Sequence, residues 1–408
     1  MTDIINLLAT LPPDHELVAA RQARPDALAN AQRSFEALLE PVNPGTFTYG
    51  ERYAVATYVA GVHQVANART LYSELLLDDA PATLRDAVLT AVDHALSTGP
   101  YGTYRESGLV DESEPGGHVT HDAGALGERL AAAFDLAHLL TFHPRDARPE
   151  TIDRLTAAGW SADDVVSLAQ LVSFLAFQLR VVHGLQVLSG RPVTVAEATR
   201  LTGDGRSPEP VEVDPVRPER FVRHSLGWTP WVAPVDKADL SEEQLDSLIR
   251  PERADMPYFR LLARDPAALK ARTLTDLDIF CNTDGGLSRA DREWSATVTS
   301  RFNGCVYCAS VHAARAIEEG GEERDVDTLL ADGVDTAVDT PVWAGLRDAS
   351  VALTRTPIAY DAATVQQLRG LGLTLADLLD HLYATAFFNW ANRLMLGLGE
   401  PTVPARFR

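Results

Sequence analysis

The sequence predicts an all-α protein built from two related helical halves. Three observations lead there. Apolar residues recur at helical spacing nearly throughout, several helix starts carry complete caps, and part of the first half reappears in the second at one fixed offset.

The helical pattern is clearest in Leu84–Leu96, Leu126–Leu140, Ala162–Leu188, Ser241–Ile249, Arg289–Phe302 and Leu375–Leu396. Alternating, strand-like runs are scarce. Ser161 stands three residues before Asp164, Ser241 before Gln244, and Thr374 before Asp377, the reciprocal pattern that satisfies free N–H groups at a helix start. Pro144, Gly159, Asp164, Phe174, Arg180 and Gly184 match Pro357, Gly372, Asp377, Phe387, Arg393 and Gly397, each pair 213 positions apart. That register, with shared caps, points to internal duplication of one helical unit. Upstream, Glu51 pairs with Glu293 at an offset of 242, give or take a residue or two. The difference, 242 − 213, leaves about 29 extra residues in the first half, placed in the Gly-, Ser- and Thr-rich stretch Ser97–Ala125.

At 408 residues the chain exceeds the usual reach of one core, so two domains are expected, 1–190 and 236–408. Between them, 191–235 combines a proline-rich linker with "LGWTPWVAP", whose Trp228 and Trp231 are expected to dock on a protein surface. Apolar residues at 46% and charged residues at 23% describe a folded globular chain. The formal charge of -21 speaks against nucleic acid or an anionic membrane as partner, because both are polyanions. Met1–Leu11 lacks a basic start, and Pro12-Pro13 breaks it before an apolar stretch develops, so a cytoplasmic, thiol-reducing location is expected. The apolar run Val165–Leu179 reads as a buried helix.

The chemistry concentrates in "EWSATVTSRFNGCVYCASVHAARA", which holds Glu293, Cys305, Cys308 and His312. Asn303-Gly304 should break the chain just before Cys305, so that the CxxC opens a new helix. The free N–H groups and positive dipole end there favour thiolate over thiol. Cys305, Cys308 and His312 then share one helix face, and His312 can take the thiol proton while Glu293 orients it. Two cysteines at this spacing can also close a disulfide after one is oxidised.

This E-x11-C-x2-C-x3-H pattern resembles the alkylhydroperoxidase (AhpD-like) branch of the carboxymuconolactone decarboxylase superfamily. "PYFRLLARDPAALKART", "NGCVYCASVHAARA" and "AFFNWANRL" are similar to its peroxidase-related members. The cysteine-free first half resembles a companion domain, so the chain looks like a fusion of two tandem AhpD-like helical domains. The resemblance implies that Cys308 is the peroxidatic thiol, that Cys305 resolves it, and that His312 and Glu293 relay the proton. It also implies a homo-oligomer, a trimer of fused pseudo-dimers. Where the best-known members carry a histidine before the second cysteine, this chain has Tyr307.

The expected activity is reduction of a peroxide by the Cys305/Cys308 dithiol, restored by an external dithiol, with no cofactor and no metal. Lactone decarboxylation, known among members without the cysteines, does not suit a CxxC site. A zinc site of Cys305, Cys308, His312 and Cys281 is the competing reading. It is weaker because Cys281 stands alone, 24 residues upstream, and reads as a small buried hydrophobe. A ligand-binding scaffold with a vestigial redox site is a second competing function, and a protein thiol–disulfide oxidoreductase is a third. Asn389 and Asn392 read as a satisfied core network. His118 and His121, with Asp122, have metal-like spacing but read as a solvated turn.

Overall fold

The computed structural model describes residues 3–202 and 216–407. It is helical nearly throughout, so the protein is all-α. Fourteen longer helices carry the architecture: α1 (Pro25–Leu39), α2 (Tyr49–Val62), α3 (Ala66–Asp79), α4 (Ala82–His94), α5 (Glu128–Phe142), α6 (Pro149–Ala157), α7 (Ala162–Leu188), α8 (Pro266–Cys281), α9 (Arg289–Asn303), α10 (Val306–Glu318), α11 (Glu323–Asp332), α12 (Pro341–Thr354), α13 (Ala362–Gly370) and α14 (Leu375–Leu398). Most of the expected proline-rich linker lies outside the described residues.

The order of α1–α7 recurs in α8–α14. The first four helices start 240 or 241 residues before their counterparts, and α5, α6 and α7 start 213 before theirs. The caps recur too. Ser161 and Thr374 close capping boxes on α7 and α14, and Thr48 and Ser288 do so on α2 and α9. This last pair fixes the upstream register at 240 rather than 242, which sets Glu51 opposite Asp291 and Tyr53 opposite Glu293. The extra length lies where it is expected, between α4 and α5. It is not a bare loop, for it carries a short helical turn at Ser107–Glu112 and a helix at Ala123–Leu126.

Counterparts pack on each other: α1 runs along α8, and α7 along α14. Close approach needs small residues at the crossings. A Cβ on Gly184 would stand 2.4 Å from the Leu382 side chain, and one on Gly397 2.7 Å from Leu140. Two buried arginines tie the halves reciprocally. Arg180 donates to the carbonyls of Leu353 and Thr354 at the end of α12, and Arg393 donates to the Thr141 carbonyl at the end of α5. Both satisfy helix-end carbonyls that have no partner inside their own helix. The buried apolar residues of both halves join in one continuous core.

Helix α7 is apolar all round, as a helix enclosed by others must be. By length and composition it is long and apolar enough to cross a membrane, yet 94% of its apolar window is buried among neighbouring helices. Trp228 and Trp231 sit in and beside a strand that periodicity did not show. Strand β1 (Gly227–Pro230) pairs antiparallel with β2 (Gly399–Thr402), the continuation of α14. The Trp228 indole N–H donates to the Met395 carbonyl at 3.1 Å, which secures the connecting segment to the second half.

Candidate active site

The four residues singled out from the sequence come from two adjacent helices, α9 and α10, joined by a tight turn. Gly304 ends α9 in the left-handed conformation (φ 79°), and the Cys305 N–H bonds back to the Ser300 carbonyl at 2.8 Å. Only glycine fits here, since a Cβ would lie 2.2 Å from the Arg145 side chain. Cys305 is thus the N-cap of α10, and Cys308 lies in its first turn. The turn is braced from below by a polar network. Asn303 donates to Asn392, Asn392 donates to Ser300, and Asn389 donates to Thr354 and accepts from Arg393. Asn389 and Asn392 are therefore network residues, as expected, and they set the height at which the CxxC leaves α9.

The cysteines are reduced and buried, with Cys305 1% and Cys308 5% exposed. They stand at the N-cap and in the first turn of the same helix, so the Cys308 side chain is a close electrostatic neighbour of the Cys305 thiol. Burial comes first among the causes that push the Cys305 thiol well above its ordinary range, followed by the neighbouring Cys308 side chain. The Cys308 backbone N–H works in the opposite direction without prevailing. The expectation that helix-start placement eases ionisation thus fails for Cys305, because desolvation outweighs the dipole.

His312 is one turn beyond Cys308. Its Nδ1 lies 2.5 Å from the Glu293 carboxylate, and Glu293 is fully buried in the middle of α9. Burial opposes the Glu293 charge, but the His312 imidazole, by charge and hydrogen bond, outweighs it. Arg315 and Arg289 add to this, so the carboxyl is held below its ordinary value. Phe388 and Phe280 enclose the imidazole, with ring centroids at 4.1 and 5.7 Å. The pair has the form of an oriented base, a carboxylate holding one ring nitrogen and leaving the other available.

Two phenols neighbour the dithiol, and an arginine packs against one of them. Tyr258 lies within the field of Cys308, and its buried hydroxyl has no hydrogen-bond partner. Arg272 is 6% exposed and boxed by Phe387, Tyr258 and Trp390. Tyr307, whose phenol burial and the two cysteines push up to about 12, stays protonated at neutral pH. Tyr258 and Arg272 fall inside the 257–273 stretch that carried the resemblance, but no spacing rule ties them to a dithiol 33 or more positions away. Arg145 carries no such signal either. It comes from the first half, stacks on Tyr104 at 4.7 Å, and lines a cavity of about 20 Å³ together with Thr103, Glu106, Arg217, Cys305 and Tyr307. That volume holds little more than one water. The cavity is roofed by the first half and floored by the second.

Two expectations need correction. Cys281 is exposed at the end of α8, not buried. It does not assemble with Cys305, Cys308 and His312: among the described residues, the trio whose ligand atoms converge within 4.8 Å is His118, His143 and Asp146. Nor is the histidine turn simply solvated. The His121 ring is buried and bonds the Asp135 carboxylate at 2.8 Å, while His118 stays half-exposed.

The arrangement is therefore a buried dithiol at a helix start, backed by a carboxylate–imidazole pair. Residues 266–350, from α8 into α12, match the family model described as Carboxymuconolactone decarboxylase family. The match lies within the second half and spans Glu293, Cys305, Cys308 and His312. No curated protein matches the chain.

Proposed function

We propose that the chain is a thiol-dependent peroxidase of the alkylhydroperoxidase kind, working through Cys305 and Cys308. The observation that carries this reading is the placement of two buried cysteines, Cys305 and Cys308, at the N-cap and in the first turn of one helix, with the Glu293–His312 pair one turn further on. Burial holds the Cys305 thiol protonated, which suits the resolving role. His312 accepts the Cys308 proton. The Cys308 thiolate attacks the terminal oxygen of ROOH, the O–O bond breaks, and the alkoxide takes a proton from the imidazolium to leave as ROH. The Cys308 sulfenic acid then condenses with the Cys305 thiol, releasing water and forming the disulfide. An external dithiol reduces it by two exchange steps. Tyr307 and Tyr258, both protonated phenols, supply hydrogen-bond donors to the peroxide oxygens.

The small cavity beside Cys305 suits a small substrate better than a protein partner, which favours this activity over general protein thiol–disulfide exchange. We read the recurring helices as duplication of one unit, the first copy serving as scaffold and roof. The test is turnover with a panel of peroxides and dithiol donors. Cys308→Ser should abolish it, and Cys305→Ser should stop it after one peroxide, leaving a trapped sulfenic acid. Full activity in both variants would discard the assignment.

A further inference from the structure

His118, from the insert between α4 and α5, meets His143 and Asp146, just beyond the end of α5, and the dithiol chemistry uses none of the three. His143 Nδ1 lies 3.4 Å from Asp146 Oδ2, and His118 Nε2 lies 3.7 Å from the same oxygen. His143 is 2% exposed, and its Nδ1 is buried with no hydrogen-bond partner. Asp146 is as well fixed. Its Oδ1 accepts from the Thr103 N–H at 2.8 Å and the Thr103 hydroxyl at 2.9 Å, which turns Oδ2 toward the imidazoles. The His143 ring is held by stacking on Tyr101, with centroids 5.0 Å apart and planes within 9°. Its other nitrogen pairs with His138 Nδ1 at 3.1 Å.

From this geometry we infer that His118, His143 and Asp146 form a binding site for a zinc-type divalent cation. A tetrahedral ion with bonds of about 2.0–2.2 Å sets its ligand atoms roughly 3.3–3.6 Å apart; the His143–Asp146 separation of 3.4 Å falls inside that range and the His118–Asp146 separation of 3.7 Å just beyond it. Nitrogen and carboxylate oxygen are ligands that zinc accepts. The His143–His138 contact is the supporting hydrogen bond that metal-binding imidazoles ordinarily make through their other nitrogen. His118, half-exposed on the insert, closes the site from the solvent side and leaves the fourth position to water.

The position gives the ion a structural task. Asp146 lies between Arg145 and Ala147, and these, with Thr103, line the cavity over Cys305. A cation here ties the insert, through His118, to the strip that roofs the dithiol.

The test uses the full chain, stripped with chelator and titrated with zinc against a chromophoric indicator. One zinc should bind per chain. His118→Ala, an exposed change that leaves the core intact, should weaken binding at least ~10-fold. The Cys305→Ser/Cys308→Ser double variant should bind as tightly as the wild type. Cobalt in place of zinc should give tetrahedral visible bands without thiolate charge transfer. Failure of the stripped chain to bind micromolar zinc would overturn the site. So would binding that survives His118→Ala but is lost with the two cysteines. Neither result bears on peroxide turnover, so this site and the dithiol reading fail separately.

Discussion

At equivalent positions the two halves carry opposite chemistry on the same helices. Where the second half has Glu293, Cys305, Cys308 and His312, the first has Tyr53, Val65, Ala68 and Tyr72, each 240 residues earlier. The replacements are not empty space. The Tyr72 hydroxyl donates to Gln178, and the Tyr53 hydroxyl to Glu40, so the first half closes with phenol hydrogen bonds what the second leaves as a carboxylate–imidazole pair and two thiols. Helix order, caps and the buried arginines are shared, which teaches that the frame is independent of the chemistry mounted on it. The first half contributes to the site from outside its own equivalent positions, through Arg145 and Thr103 above Cys305.

The comparison breaks most easily at the reciprocal arginines. Arg393, fully buried, is pushed down to about 9 by desolvation, and Arg180 moves in the same direction. Arg180→Met and Arg393→Met should each destabilise the fold by about 2–4 kcal/mol, because helix-end carbonyls lose charge-assisted donors. Urea unfolding measures this, and a loss confined to one of the two would break the equivalence of the halves.

Glu293→Gln sharpens the contrast at the site. Turnover should fall by about 10²-fold, with the fold retained. The sign of its pH effect follows from the depressed carboxyl. A group held below its ordinary value of 4.5 contributes stability above that pH, and the contribution is lost as pH falls through the folded value. The stability gap between wild type and Glu293→Gln should therefore narrow in acid below 4.5. A gap that widens there would contradict the pairing with His312.

Tyr72→Phe, the matching change in the first half, should cost about 1 kcal/mol through the unpaired Gln178 oxygen and leave turnover unchanged. Smallest of all is the effect expected from grafting thiols into the first half. In a Cys305→Ser/Cys308→Ser background, Val65→Cys with Ala68→Cys should restore no turnover, since Tyr53 and Tyr72 offer neither base nor orienter. Recovered activity would show that the helix start alone suffices.

Much of this is legible in the sequence because it is written locally. The caps at Ser161, Ser241 and Thr374, the Gly304 break and the single-offset match from Pro144 to Gly184 all rest on residues a few positions apart or in strict register. The spacing Glu293–Cys305–Cys308–His312 likewise reports two adjacent helices. The rest depends on chain segments that meet only after folding. Arg145 reaches Cys305 from 160 positions away, and His118 meets His143 and Asp146 across α5. Strand β1 pairs with the far end of the chain. The thiol of Cys305 departs from its sequence-based expectation for a related reason: the dipole is a property of the local helix, whereas desolvation comes from everything packed over it.

The most direct measurement is peptide mapping after one equivalent of peroxide under non-reducing conditions. A disulfide joining Cys305 and Cys308, removed by dithiol, is the expected product, with the exposed Cys281 still free. Recovery of Cys305 and Cys308 as fully alkylatable thiols, with oxidation confined to Cys281, would contradict the dithiol mechanism.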